Sequence, residues 1–150
     1  MKPKENNGPY NIYAETEITV EFFDLDPLQI VWHGNYIKYF EIGRRSLMER
    51  IGFSYEEMVE SGYSFPVIEI SVKYLGPLKF KDKARIKSIL MEYENRVLIR
   101  YEIRNAQTGL LTTKGFSTQM AYDIKARDSC FVCPTILIKK IEACTGEIHQ

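Results

Sequence analysis

Between residues 16 and 22 apolar and polar positions alternate, with Ile18, Val20 and Phe22 set against Glu17, Thr19 and Glu21. That two-residue period predicts a strand with one buried face. From residue 35 to 51 the period lengthens. Ile37, Phe40, Arg44, Leu47 and Ile51 recur at intervals of three and four, with Tyr36, Gly43 and Met48 widening the stripe, so the spacing predicts a helix with a broad buried face. Gly52 supplies its stop, and Ser54 followed by Glu57 reads as a capping box opening a short second helix to about Glu60. The period then returns to two. Strands are expected over residues 67–74, 84–93, 96–104 and 110–122, divided by Pro77, by Glu94 and Asn95, and by residues 105–109. Ile136, Leu137, Ile141 and Cys144, behind Pro134, predict a terminal helix over residues 134–144. One long helix followed by four antiparallel strands is an α+β layer in which a curved sheet wraps a long central helix.

Composition changes this picture little. A chain of 150 residues, 45% hydrophobic, buries one good core and fits a single domain. The domain is expected over residues 14–145, between a polar, loosely packed tail at 1–13 and a short tail at 146–150. Twenty cationic side chains balance twenty anionic ones, so no global pull toward nucleic acid or an anionic membrane exists. No apolar run reaches transmembrane length, and the first residues lack the apolar centre of a signal peptide, which points to the cytoplasm. The three cysteines are expected to be reduced thiols. Cys130 and Cys133, with Cys144 and His149, could offer four zinc ligands, but their spacing matches no familiar finger and no metal site is assigned. With two histidines a triple-histidine zinc centre is excluded, and no phosphate-cradling glycine loop occurs.

Chemistry concentrates where the first strand meets the long helix. Residues 24–36 hold Asp24, Asp26, the sole tryptophan Trp32 and the histidine His33. Pro27 fixes its own φ and pushes Asp26 toward an extended conformation, so this carboxylate sits on a stiff turn. The helix then begins near Gly34 or Asn35, and the first amides of a helix lack internal acceptors and attract an oxygen gaining negative charge. A restrained carboxylate beside such amides suggests hydrolysis.

The same segment carries a family resemblance. Asp24-x-Asp26-Pro27, followed by Ile30-Val31-Trp32-x-x-Asn35-Tyr36, resembles the hotdog-fold acyl-CoA thioesterases of the 4-hydroxybenzoyl-CoA thioesterase type. Phe40-Glu41-x-x-Arg44 is similar to the Tol-Pal-associated branch, and Val72-x-Tyr74-x-x-Pro77-Leu78 with Asp82 resembles the family's strand and turn beyond the helix. The likeness runs from about Ala14 to Cys144. It implies a hotdog fold, an acyl-CoA or acyl carrier protein thioester as substrate, and no cofactor beyond the coenzyme A of the substrate. It also implies a homodimer or homotetramer with active sites at the subunit interface.

Residue by residue, the resemblance makes Asp26 the catalytic carboxylate, where the residues alone also allow a cap or a solvated turn acid. It makes the His33 backbone N–H the donor that polarises the thioester carbonyl, with the imidazole either a further participant or a packing group. Trp32, Asn35 and Tyr36 are counted as substrate-binding, although the last two equally suit capping and packing the helix. Glu41 reaches the acyl pocket or simply pairs with Arg44 one turn on. Arg96 matches a position that contacts coenzyme A phosphates, or is a solvated hairpin charge. Gln29, also counted as substrate-binding, departs from the family, which often has glycine there; it puts the loop conformation and the room for the acyl group at issue, or supplies a polar contact of its own. Asp24 is given a structural role. Two other readings stay open: a hotdog dehydratase or hydratase acting on 3-hydroxyacyl thioesters, and a non-catalytic acyl-binding module.

Overall fold

The computed structural model describes residues 6–148. Five strands form one antiparallel sheet in the order β1-β4-β5-β6-β3, with β1 at Tyr13–Thr19, β3 at Val67–Tyr74, β4 at Lys83–Glu92, β5 at Val97–Asn105 and β6 at Leu111–Gln119. The helix α1, Asn35–Ile51, packs chiefly against β1 and β4 and more lightly against β5. A short α2, Tyr55–Ser61, precedes a small three-stranded sheet of β2 (Tyr63–Ser64), β7 (Tyr122–Asp123) and β8 (Asp128–Ser129). The closing helix α3 spans Thr135–Ile148.

The inner sheet face and the stripe of α1 bury each other. Phe40 stacks on Tyr101 with ring centroids 4.4 Å apart and 8° between planes, and Leu47, Met48, Ile86, Leu90, Ile99 and Ile103 fill in around them. The approach is close because Gly43 has no side chain: a Cβ there would collide with the Ser88 hydroxyl and Ile86 of β4. Gly52 ends α1 in the left-handed conformation, φ 87°, its N–H reaching Glu49 and Met48 carbonyls, and the Ser54 hydroxyl accepts from the Glu57 amide to start α2. The Glu57 carboxylate is held below its usual range, chiefly by its hydrogen bond from Lys140 of α3.

The structure departs from the sequence pattern in four places. The first strand lies three residues earlier than expected. Ala14 is its buried position, with Ile12 and Val20 buried just beyond its two ends, whereas Phe22 falls in a 3-10 turn, Phe22–Asp24, closed by reciprocal bonds between Glu21 and Asp24, and stands 71% exposed. Residues 6–13, expected to be loose, are packed: Ile12 is fully buried, Tyr10 meets Tyr93 edge to face, and Arg100 donates to the Asn6 carbonyl. The strand expected over 110–122 breaks after Gln119, because β7 leaves the main sheet to pair with β2. Ile37 is 42% exposed rather than buried. It sits at the rim of the apolar stripe, beyond the buried positions Tyr36 and Phe40.

Candidate active site

Residues 25–31 form a miniature hairpin. Leu25 bridges Val31, the Asp26 N–H donates to the Ile30 carbonyl at 2.9 Å, and the Gln29 N–H donates to the Asp26 carbonyl at 3.0 Å. Asp and Pro are the preferred first two residues of such a turn, which normally ends on glycine. Here Gln29 takes that position with φ 66°. The loop therefore holds the left-handed conformation that glycine adopts freely, and a glutamine has been accommodated there at a backbone cost. Its side chain points to solvent. The Asp26 carboxylate, half-buried, accepts from the Leu28 N–H at 2.8 Å, which locks its direction.

Asp24 holds this loop against α1. Its carboxylate accepts from the Glu21 N–H at 3.0 Å and the Tyr39 hydroxyl at 2.9 Å, while its carbonyl accepts from the Trp32 N–H and the Asn35 side chain at 2.9 and 2.8 Å. Burial, then the hydrogen bond to Asp24 and its negative charge, push the Tyr39 phenol far above its ordinary range. Asn35, whose amide serves the loop, is a scaffold contact here.

The helix begins at Gly34 with helical φ and ψ and no side-chain cap, and its first turn contains no acid. Among the described residues, no hydrogen bond is made by the His33 or Gly34 N–H. The His33 carbonyl is instead fixed by the Tyr74 hydroxyl of β3 at 2.8 Å. Trp32 lies over Gly34, where any Cβ would strike the indole.

These groups share a cleft of about 500 Å³ lined by Asp26, Leu28, Ile30, Val31, His33 and Tyr36 on one side and Tyr74, Leu75, Gly76 and Pro77 on the other. Tyr36 is buried and packs edge to face on Tyr39 and Tyr74. Burial raises its pKa, while contacts to Thr113 and the Leu78 main chain oppose the rise.

Of the residues singled out from sequence, the structure brings Asp26, His33 and Tyr36 together in the cleft, with Trp32 beside His33 at 5.2 Å between ring centroids and Gln29 outside the lining. Glu41 lies further along α1, paired with Arg44 at 2.7 Å. Arg96 is distant from the cleft within the chain: it pairs with Glu92 at 3.1 Å and lines a separate hollow on the outer sheet face with Arg100, Leu98 and Phe116. Tyr74 was missed as a site residue although its motif was recognised, because nothing in strand periodicity says that its hydroxyl reaches the start of a helix. Among the described residues no cluster of His, Cys, Asp or Glu is arranged to hold a metal. Burial pushes the Cys133 thiol up to about 11, Cys144 is buried against the Ile51 carbonyl, and His149 lies outside the described residues. No described helix is long and apolar enough to cross a membrane.

A five-stranded antiparallel sheet wrapped on one long helix, with a cleft where that helix begins, is the hotdog architecture. The chain belongs to the thioesterase-like superfamily, whose profile matches residues 20–142. It is 31% identical over 111 residues to the putative acyl-CoA thioesterase YneP of Bacillus subtilis, covering 73% of this chain and 80% of that one. In structure it is similar to the DHNA-CoA thioesterase of Staphylococcus aureus, with a TM-score of 0.77, 26% identity, and 90% and 94% of the two chains covered. The hypothetical protein TT1821 of Thermus thermophilus shares the fold at a TM-score of 0.79 and 24% identity, over 87% and 98%.

Proposed function

We propose that the protein hydrolyses acyl thioesters of coenzyme A in this cleft, with Asp26 as general base or nucleophile and the His33 amide polarising the carbonyl. The observation that carries the reading is a turn-locked carboxylate facing the same cleft as an uncapped helix start. A thioester carbonyl oxygen directed at the His33 N–H becomes more electrophilic at carbon. Asp26 then either removes a proton from the attacking water or attacks the carbon itself, expelling the thiolate and leaving a mixed anhydride for water to open. Both routes end in free acid and free thiol. A well-placed carboxylate contributes about a hundredfold to ten-thousandfold in rate, and one oxyanion donor about 2.7 to 4 kcal/mol.

The oligomer belongs to the same proposal. Among the described residues β3 pairs only with β6, leaving its other edge unpaired there, and it presents Val67, Ile68, Ile70 and Tyr74 to solvent. A long apolar edge of this kind is a template for strand pairing. Arg96, distant from the cleft of its own chain, would serve the site of a second copy, where a cation suits coenzyme A phosphates. The assembly is a homodimer or a tetramer built from it, completing each site.

The test is Asp26→Asn assayed for thiol release from acyl thioesters on coenzyme A and on acyl carrier protein. Turnover should fall at least about a hundredfold, with circular dichroism and a light-scattering mass of twice 17.5 kDa or a multiple retained. Undiminished hydrolysis by a folded variant removes Asp26 from the mechanism.

A further inference from the structure

The start of α1 is held only loosely by its own residues. Gly34 stands at the N-cap with no side chain to accept from the first amides, and a Cβ there would strike the Trp32 indole. The first turn closes on one short bond, from the Asn35 N–H to the Trp32 carbonyl at 2.9 Å, and one long one, from the Tyr36 N–H to the His33 carbonyl at 3.4 Å. A glycine next to so long a bond would by itself leave the His33 main chain free to turn. The missing restraint comes from the sheet. The Tyr74 hydroxyl, 41 residues away in sequence, donates to that same His33 carbonyl at 2.8 Å. Tyr74 is firmly mounted: it pairs with Thr113 of β6, and the N–H groups of Leu75 and Gly76 both donate to the Thr112 carbonyl, at 2.8 and 3.1 Å.

We propose that Tyr74 is a positioning residue for the hydrolysis, acting through the His33 main chain to keep the His33 N–H aimed at the thioester carbonyl oxygen. The inference rests on the reading of Asp26 and His33 given above and adds the group that holds the donor in place. The carbonyl and N–H of His33 share one Cα, so fixing the His33 carbonyl from β3 and the Trp32 carbonyl from Asn35 leaves that N–H little room to swing. An oxyanion donor is effective because it is already oriented when charge develops, and one that must first turn loses part of that effect. The hydroxyl of Tyr74 carries a single proton, which the His33 carbonyl takes, so it is not available to donate to the substrate as well. Its ring has a separate duty, packing edge to face on Tyr36 and His33 with centroids 5.3 and 6.2 Å apart. Deleting the hydroxyl alone therefore separates aiming from packing.

Tyr74→Phe makes that deletion. Hydrolysis is followed on the full chain with hexanoyl-CoA, palmitoyl-CoA and benzoyl-CoA. In the variant kcat should fall about threefold to tenfold, the span set by one neutral hydrogen bond, while KM changes by less than about twofold. The second readout is the infrared stretch of the substrate carbonyl, isotopically labelled at that carbon in whichever thioester turns over fastest and bound to Asp26→Asn so that it stays intact. Donation from the His33 N–H lowers this frequency, and adding Tyr74→Phe should broaden the band and move it back toward that of free substrate. Tyr101→Phe in the same background loses the buried bond to Ser117 and controls for weakened folding alone: its urea midpoint should fall and its band should stay. A band unmoved by Tyr74→Phe, an equal shift in Tyr101→Phe, or a loss confined to KM would each overturn the assignment while leaving the hydrolase reading intact. Failure of the wild type to turn over any of the three thioesters would instead remove the reading on which it rests.

Discussion

Gln29→Gly is expected to stabilise the protein. Gln29 occupies φ 66°, where its Cβ crowds the backbone, a strain of about 1–2 kcal/mol for a residue other than glycine. Its exposed side chain makes no hydrogen bond among the described residues, so its removal forfeits little. Glycine returns part of the gain, because a freer unfolded chain costs about 0.4–1 kcal/mol. The difference is a net gain of about 0.5–1 kcal/mol, which for 150 residues raises the melting temperature by about 2–3 °C. Calorimetry and urea unfolding at matched protein concentrations measure it, since assembly makes both concentration-dependent. Loss of stability by more than about 0.5 kcal/mol would refute the reasoning and show that the glutamine side chain holds the loop in a way its exposure conceals.

Two other perturbations test the scaffold. Gly43→Val should destabilise by about 1–3 kcal/mol, read as a lowered urea midpoint, because the added carbons meet Ser88 and Ile86 where α1 rests on β4; an unchanged midpoint would show that the helix can lift. Tyr39 is an alkaline sensor: burial and Asp24 raise its folded pKa above the ordinary 10.0, so the folded state keeps a proton that the unfolded chain gives up. Its contribution is therefore present below about pH 10 and lost as pH rises toward the folded value. Unfolding free energy should fall above pH 10, and Tyr39→Phe should flatten that fall while costing about 1 kcal/mol at neutral pH for the lost hydrogen bond. An identical alkaline slope in the variant would assign the loss to other groups, buried Tyr101 first among them.

Much of this molecule was legible in its sequence because much of it is local. The long helix announced itself through Phe40, Gly43, Leu47 and Ile51, and its end through Gly52. Asp26 could be singled out because Pro27 restrains it and the motif surrounds it. Strand order was not legible, since pairing β1 with β4 and β3 with β6 depends on contacts across the whole chain rather than on periodicity. Phe22 misled because it continues an alternation that the Glu21 and Asp24 turn interrupts. Ile37 misled because a helical stripe has a rim, and periodicity does not say where along that rim burial stops. Arg96 is separated from Asp26 by most of the sheet, a distance that hairpin spacing cannot convey.

Asp24 receives four donors, two on its carboxylate and two on its carbonyl, and takes no part in the proposed chemistry. The reacting loop is thus anchored to α1 by a residue beside it, while the turn at its tip fixes Asp26 through main-chain contacts, the Leu28 N–H among them. The Leu28 side chain, which lines the cleft, can therefore change without disturbing where the carboxylate points.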